Sequence, residues 1–305
     1  MHWIFYVLVG IVALIVMIGL IAGMSLAYPK RLTSQGAYDL ENKRSPGLMD
    51  IYDRWTLDPY RIKSRHHYEL QLYHLPADCV SNRYVIIAHG YGYTHHGSVK
   101  YALMMHELGF HVVLFDERYH GNSGGKNCTM GFYEKEDLRE IVTDTLTRFG
   151  QDILLGTYGE SMGGAAVLLE QATDPRVRFC VTDCTFADLG DLMADILKRK
   201  THLPRYPFLG VANVWFYLFT GVWFTKIKPI DAVKKASIPM MFVHGEADGF
   251  IPPIHSQRLF DACGSPKKIY IGKNQARHTE SVRKNPEEYR KILRAFLVEN
   301  HLMET

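Results

Sequence analysis

Ser161 lies in Gly159-Glu160-Ser161-Met162-Gly163-Gly164, after the apolar run Ile153 to Tyr158 and before the helix-favouring run Ala165 to Gln171. That order predicts a strand, a tight turn and a helix, with the serine in a strained backbone conformation and glycines two residues either side letting the chains pass without Cβ collisions. A hydroxyl held there stands exposed. As a nucleophile it needs a base, because its own acidity is far too weak for attack at neutral pH. Gly-x-Ser-x-Gly is common by chance, so its weight depends on partners. Candidates are His278, in Ala276-Arg277-His278-Thr279-Glu280-Ser281, and Asp248, in His244-Gly245-Glu246-Ala247-Asp248-Gly249-Phe250-Ile251-Pro252. Each has a bland reading beside the chemical one: a histidine in a polar loop suits a surface, and an aspartate before glycine suits an ordinary turn. Glu246 is the nearest rival to Asp248.

The elements that must position these residues follow from periodicity. Tyr68 to Tyr73 alternates apolar and polar residues, as a half-buried strand does, and Pro76 closes it. Tyr84 to Ala88, Val112 to Phe115, Ile153 to Tyr158, Val177 to Thr182 and Met240 to Val243 are short apolar runs separated by helix-length segments, the pattern of a parallel sheet with crossovers. Lys268 to Ile271 reads as a further strand. Helices are expected over Val99 to Leu108, Glu134 to Phe149, Ser161 to Ala172, Ile254 to Cys263 and Pro286 to Leu297, the first two stopped by Gly109 and Gly150. Residues 33–58 receive no element. In an open parallel sheet ligands sit at the carboxyl ends of the strands. Here those ends carry His89-Gly90-Tyr91-Gly92, Asp116-Glu117-Arg118-Tyr119-His120-Gly121-Asn122-Ser123, Ser161, Asp248 and His278.

With this ordering the chain resembles the α/β-hydrolase superfamily from about Tyr68 to the C-terminus, in which the triad runs Ser, Asp, His along the sequence. The D-x-R-x-H-G-x-S and H-G-x-G stretches are similar to those of serine aminopeptidase-like hydrolases, monoacylglycerol lipases and small membrane-tethered esterases. The resemblance implies Ser161 as nucleophile, His278 as base and Asp248 as the acid that orients the imidazole. It further implies that the backbone amides of Tyr91 and Met162 face the oxyanion. Arg277 stands where the family usually has glycine, a departure that the loop geometry is expected to absorb. Asp116, Arg118, His120 and Ser123 are expected to form a buried hydrogen-bonded scaffold beneath the site. The remaining histidines, His106, His111 and His255 among them, are assigned ordinary helix, strand or surface roles.

At 305 residues, 47% hydrophobic and with no linker or repeat, the soluble part reads as one globular unit. A net charge of +3, dispersed along the chain, gives no basic stripe for nucleic acid. Five scattered cysteines make poor material for a disulfide framework. Cys180 and Cys184 lack a second pair at zinc spacing, and His66-His67 and His95-His96 lack matching ligands, so neither metal nor cofactor is expected. From Trp3 to Ala27 there are 25 residues without a charged side chain or histidine. As a helix they span roughly 37 Å, enough to cross a bilayer. Ser25 and Ala27 also fit a signal-peptide cleavage site, but the apolar stretch is too long and no basic side chain precedes it, so an uncleaved anchor is expected. Lys30, Arg31, Lys43 and Arg44 follow the segment and place the soluble part in the cytoplasm. Asn127-Cys128-Thr129, a glycosylation triplet, is the opposing sign. Gly19 and Gly23 form one G-x-x-x-G, a spacing used by helix-dimer faces and also produced by the frequency of glycine in membrane helices.

The expected layout is an anchor at 1–28, a linker and N-terminal extension at 29–66, and a hydrolase domain at 67–305 with a helical lid at about 186–234. Within the lid, Tyr206 to Thr225 is 20 residues without a formal charge, rich in Trp, Phe and Tyr. Pro207, Gly210, Asn213 and Gly221 interrupt it, and a second span there would part Ser161 from Asp248 and His278. Such a lid can line an acyl pocket, touch the bilayer or pack as core. The expected function is a membrane-anchored serine hydrolase acting on esters or thioesters of apolar acyl groups. A serine aminopeptidase-like amide hydrolase and a non-catalytic binding protein on the same fold are the alternatives.

Overall fold

A computed structural model describes residues 2–171 and 174–304. Its strands are β1 (Asp58–Lys63), β2 (Glu69–Leu75), β3 (Arg83–Ala88), β4 (His111–Phe115), β5 (Leu154–Glu160), β6 (Phe179–Asp183), β7 (Met240–Gly245) and β8 (Lys267–Gly272). The helices are α1 (His2–Ala27), α2 (Ser34–Arg44), α3 (Leu48–Tyr52), α4 (Val99–Glu107), α5 (Glu134–Phe149), α6 (Met162–Gln171), α7 (Leu189–Thr201), α8 (Phe208–Thr220), α9 (Pro229–Val233), α10 (Ile254–Ala262), α11 (Ser281–Lys284) and α12 (Pro286–Glu299). One sheet runs β1-β2-β4-β3-β5-β6-β7-β8. β2 is antiparallel to both neighbours, and the rest are parallel. Ala172, the expected last residue of α6, lies outside the described residues.

The parallel strands are continuous apolar runs because both faces are covered. Alternate residues of β3 go to opposite sides: Ile86 and Ala88 join a core with Leu138, Ile141 and Val142 of α5 and Val167 and Leu168 of α6. Val85 and Ile87 join a core with Tyr101 and Met105 of α4 and Leu293 and Phe296 of α12.

Residues 33–58 are not featureless. Thr33 caps α2 by accepting the Gly36 amide at 3.0 Å, α3 follows, and β1 then adds an edge strand paired to β2. Between β6 and β7 the chain makes the expected helical excursion, α7, α8 and α9. At 13 residues α8 is about 20 Å long, too short to span a bilayer alone, and Gly221 ends it in a left-handed conformation with φ 75°.

Helix α1 is 26 residues long and exposed over most of its length, yet Gly19, Gly23 and Ala27 are buried. A Cβ on Gly19 would lie 2.5 Å from Val211 Cγ1, and one on Gly23 would lie 2.8 Å from the Phe216 amide nitrogen. The G-x-x-x-G face is therefore occupied by α8 of the same chain, and only glycine lets the two backbones approach so closely.

Candidate active site

Ser161 sits between β5 and α6 with φ 54°, a conformation costing an L-residue about 1–2 kcal/mol. Its amide is held by the Asp183 carbonyl at 2.8 Å. A Cβ on Gly159 would come within 2.5 Å of the Gly163 carbonyl oxygen, and one on Gly163 within 2.5 Å of the Ala88 carbonyl oxygen, so the turn closes only with glycine at both positions.

His278, in the loop after β8, brings Nε2 to 3.1 Å from Ser161 Oγ and Nδ1 to 2.7 Å from Asp248 Oδ2. The tautomer that donates from Nδ1 to the carboxylate leaves Nε2 free to accept the serine proton. Three residues separated by up to 117 positions thus form one hydrogen-bonded chain at the carboxyl edge of the sheet. The loop manages without glycine at 277: the Arg277 amide donates to Glu280 Oε2 at 3.1 Å, the Glu280 amide donates back to the Arg277 carbonyl at 3.1 Å, and Thr279 takes the positive φ instead.

Asp248 is fixed independently of the histidine. Its Oδ1 accepts the Phe250 and Ile251 amides, each at 2.9 Å, and Oδ2 also lies 3.2 Å from His244 Nε2. Burial raises its pKa, but hydrogen bonds from His244 and His278 outweigh that and hold the carboxyl well below its usual range. The rival Glu246 faces elsewhere, accepting the Gln275 amide at 3.1 Å with Lys273 Nζ at 3.7 Å.

Met162 is the first residue of α6, where helix amides have no intrahelical acceptor. Tyr91 follows Gly90, at which a Cβ would lie 3.6 Å from Ser161 Cβ, so this loop runs against Ser161. The loop is held from below as the sequence suggests. The Gly92 amide donates to His120 Nε2 at 3.0 Å, and His89 Nε2 accepts the Glu117 amide at 2.9 Å. Asp116 accepts the His95 amide and Nδ1 at 2.9 Å each and the Asn122 amide at 2.9 Å, while Ser123 Oγ donates to its carbonyl. Arg118 bonds Asn127 and stacks over Tyr133.

Two features of the site escape the sequence. Glu160, next to Ser161, is buried against Lys100 of α4, which donates to it, and accepts Tyr101 Oη at 2.8 Å. Tyr101 and Tyr289 in turn reach Asp183 Oδ2 at 3.2 Å each. Burial, reinforced by the Glu160 charge, pushes Asp183 up to about 6. Because Lys100 and Glu160 expose only 4% and 6% of their side chains, Lys100→Met strands a buried carboxylate. We expect it to destabilise the fold by about 3–5 kcal/mol in urea melts, most of which Lys100→Met with Glu160→Gln recovers.

The second feature is that the N-terminal residues build the site. A cavity of about 280 Å³ at Ser161 is lined by Gly90, Phe250 and Thr279 and, on its other side, by Glu41 and Arg44 of α2. The Tyr91 hydroxyl donates to the Ser25 carbonyl of α1, the Leu32 amide donates to the Gly92 carbonyl at 2.9 Å, and the Cys128 amide donates to the Ala27 carbonyl at 2.8 Å. A larger apolar cavity of about 510 Å³ lies between α1, α7 and α8, with Tyr91 in its wall as well.

Cys184, Asp248 and His278 offer potential metal-ligand atoms within 4.8 Å of one another. The donor set suits a metal poorly: burial pushes the Cys184 thiol well above its ordinary value, and both Asp248 oxygens already accept hydrogen bonds.

The family described as serine aminopeptidase, S33, matches residues 81–209. YqkD of Bacillus subtilis is 29% identical over 290 residues, covering 94% of each chain. The caffeoylshikimate esterase of Arabidopsis thaliana is 27% identical over 245 residues, 65% of this chain and 72% of the esterase. Among solved structures, a Pyrococcus furiosus esterase superposes with a TM-score of 0.69 at 19% identity, over 90% of this chain and 98% of its own.

Proposed function

We propose that this chain, which belongs to the α/β-hydrolase superfamily, is a membrane-anchored serine hydrolase that cleaves carboxylic ester or thioester bonds of apolar acyl substrates. The hydrogen-bonded chain Ser161–His278–Asp248 carries this reading.

Ser161 Oγ attacks the acyl carbon while His278 Nε2 takes its proton. Asp248, ionised and held by two backbone amides, keeps the imidazole oriented and stabilises the imidazolium. Negative charge collects on the former carbonyl oxygen, where the Tyr91 and Met162 amides supply donors worth about 3–4 kcal/mol each. Collapse expels the alkoxide or thiolate, which takes the proton back from His278. Water, deprotonated by the same nitrogen, then attacks the acyl-enzyme and releases the acid. These steps use no metal or cofactor.

An apolar acyl group is favoured by the larger cavity, whose lining is almost wholly apolar, and an ester over an amide by the ester substrate in the name of the plant relative. Amide cleavage is the second reading, favoured by the description of the matching family. The membrane assignment rests on α1, and the cytoplasmic side on the basic residues that follow it and on five cysteines that are all unpaired.

Hydrolysis of nitrophenyl esters of rising chain length, compared with aminoacyl nitroanilides, separates the readings. We expect esters to be turned over at least 100-fold faster. Preference for the anilides would make the chain a peptidase, and failure of a fluorophosphonate to attach to Ser161 would leave it a binding protein.

A further inference from the structure

The larger cavity is an unusual place to find a membrane anchor. Ile18, Ala22 and Leu26 form one side of it, Met193 and Leu197 of α7 another, and Ala212 of α8 a third. A passive tether has no reason to wall a cavity of the catalytic domain. Here the two are joined by Gly19 and Gly23 against α8, and by Tyr91, whose hydroxyl is bonded to α1 and whose backbone lies beside Ser161.

Depth decides what enters. A bilayer core takes about 20 helical residues, so with α1 spanning from its first turn, residues 18–26 stand at the boundary between hydrocarbon and headgroups. The outer face of α8 is apolar at the same level: Val214, Tyr217 and Leu218 are exposed, with Trp223 just beyond the helix. Aromatic side chains of this kind favour the membrane–water interface. The cavity at Ser161 is more polar, with Glu41, Arg44, Lys100 and Glu160 in its lining beside Tyr91, Tyr93 and Phe250. Tyr91 is in the wall of both cavities, and apolar space on one side of it with charged groups and Ser161 on the other matches an amphiphile, acyl chain one way and polar leaving group the other.

We propose that the last turns of α1 are one wall of an acyl-chain pocket, and that the substrate is a long-chain acyl ester with a polar alcohol or thiol portion, drawn from the leaflet in which α1 sits. This deepens the proposed function and rests on Ser161 being the nucleophile. A chain of this kind passes from lipid to pocket without crossing water, whereas for an ester presented in solution each methylene buried multiplies binding about fourfold.

The full-length protein in phosphatidylcholine vesicles is treated with a dodecyl fluorophosphonate carrying a terminal diazirine. Ser161 Oγ bonds to phosphorus, fluoride leaves, and irradiation then marks whatever lies at the far end of the chain. We expect adducts on α1 between Ile18 and Leu26 and on α7 or α8. Attachment at Ser161 with adducts confined to α2 or to the Phe250 loop overturns the pocket while leaving the hydrolase intact. No attachment at Ser161 overturns the hydrolase, and the pocket with it. Independently, Ala22→Phe and Ala212→Phe should each lower the ratio of kcat/KM for dodecanoyl over butyryl nitrophenyl ester at least tenfold, whereas Val12→Phe, on the exposed part of α1, should leave that ratio within twofold of wild type. An unchanged ratio in both pocket variants, each still labelled by a short fluorophosphonate, also overturns the pocket.

Discussion

Ser161→Ala is expected to lower kcat on nitrophenyl esters by about 10⁶-fold and to abolish fluorophosphonate labelling while the protein stays folded. The loss should be large because, among the described residues, Ser161 Oγ is the hydroxyl hydrogen-bonded to His278 Nε2, and in the proposed mechanism the acyl carbon meets Oγ while its oxygen meets the Tyr91 and Met162 amides. Residual catalysis of about 10³–10⁴ over water is expected from the oxyanion donors and binding, which alanine leaves in place. Folding should be nearly unaffected, since alanine bears the same positive φ that serine does, and the amide bond to Asp183 is backbone. A rival nucleophile among the described residues is Cys184, whose Sγ is 4.0 Å from His278 Nε2. Its thiol is fully buried and pushed well above its ordinary pKa, first by burial and then by the Asp183 charge, so it holds its proton. Cys184→Ala should therefore retain labelling at Ser161. Activity in Ser161→Ala above about 1% of wild type, lost on adding Cys184→Ala, would move the nucleophile to sulfur.

The sheet was legible because its inner strands are buried on both faces and so appear as short apolar runs. All seven expected strands occur with ends shifted by a residue or two. β1 was not legible: Asp58-Pro59-Tyr60-Arg61-Ile62-Lys63 mixes charge and proline with apolar residues, being an edge strand whose partner β2 decides its register. α2 was missed for a related reason. It is mostly polar and buries only Ala37 and Glu41, the latter through Arg283 and Tyr93, far away in sequence. Local pattern cannot reveal an element whose reason for burial lies 242 positions off.

The site divides in the same way. Ser161, Asp248 and His278 could be singled out because each follows a strand, and a parallel sheet gathers strand ends at one edge. The Lys100–Glu160 pair is invisible beforehand, since Lys100 is an ordinary charged residue in a helix until the fold turns it inward. The role of α1 is hidden more deeply. Its composition is that of a helix long and apolar enough to cross a membrane, and Gly19 and Gly23 announce a close helix contact, but nothing in the spacing says that the partner is α8, where Val211 lies 192 residues after Gly19 and Phe216 193 after Gly23. Glycine spacing specifies approach distance, not identity of the neighbour.

Asp248→Asn tests the remaining link, and we expect kcat to fall about 10⁴-fold with KM little changed. An asparagine here keeps its oxygen on the Phe250 and Ile251 amides, which leaves the NH₂ group facing His278 Nδ1. The imidazole then accepts at Nδ1 and carries its proton on Nε2, toward Ser161, so it cannot serve as base. Stability should respond with a definite sign. A carboxyl whose folded pKa is depressed stabilises the fold above its unfolded value near 4 and loses that contribution as pH falls toward the folded value. Wild type should therefore be more stable than Asp248→Asn in urea melts at pH 7, with the gap closing below about pH 4. Glu246→Gln, by contrast, removes only contacts to Gln275 and Lys273 and should leave kcat within twofold of wild type. If Asp248→Asn instead kept kcat within tenfold while Glu246→Gln lost it, the acid would be Glu246, and the loop after β7 would have to rearrange to bring it to His278.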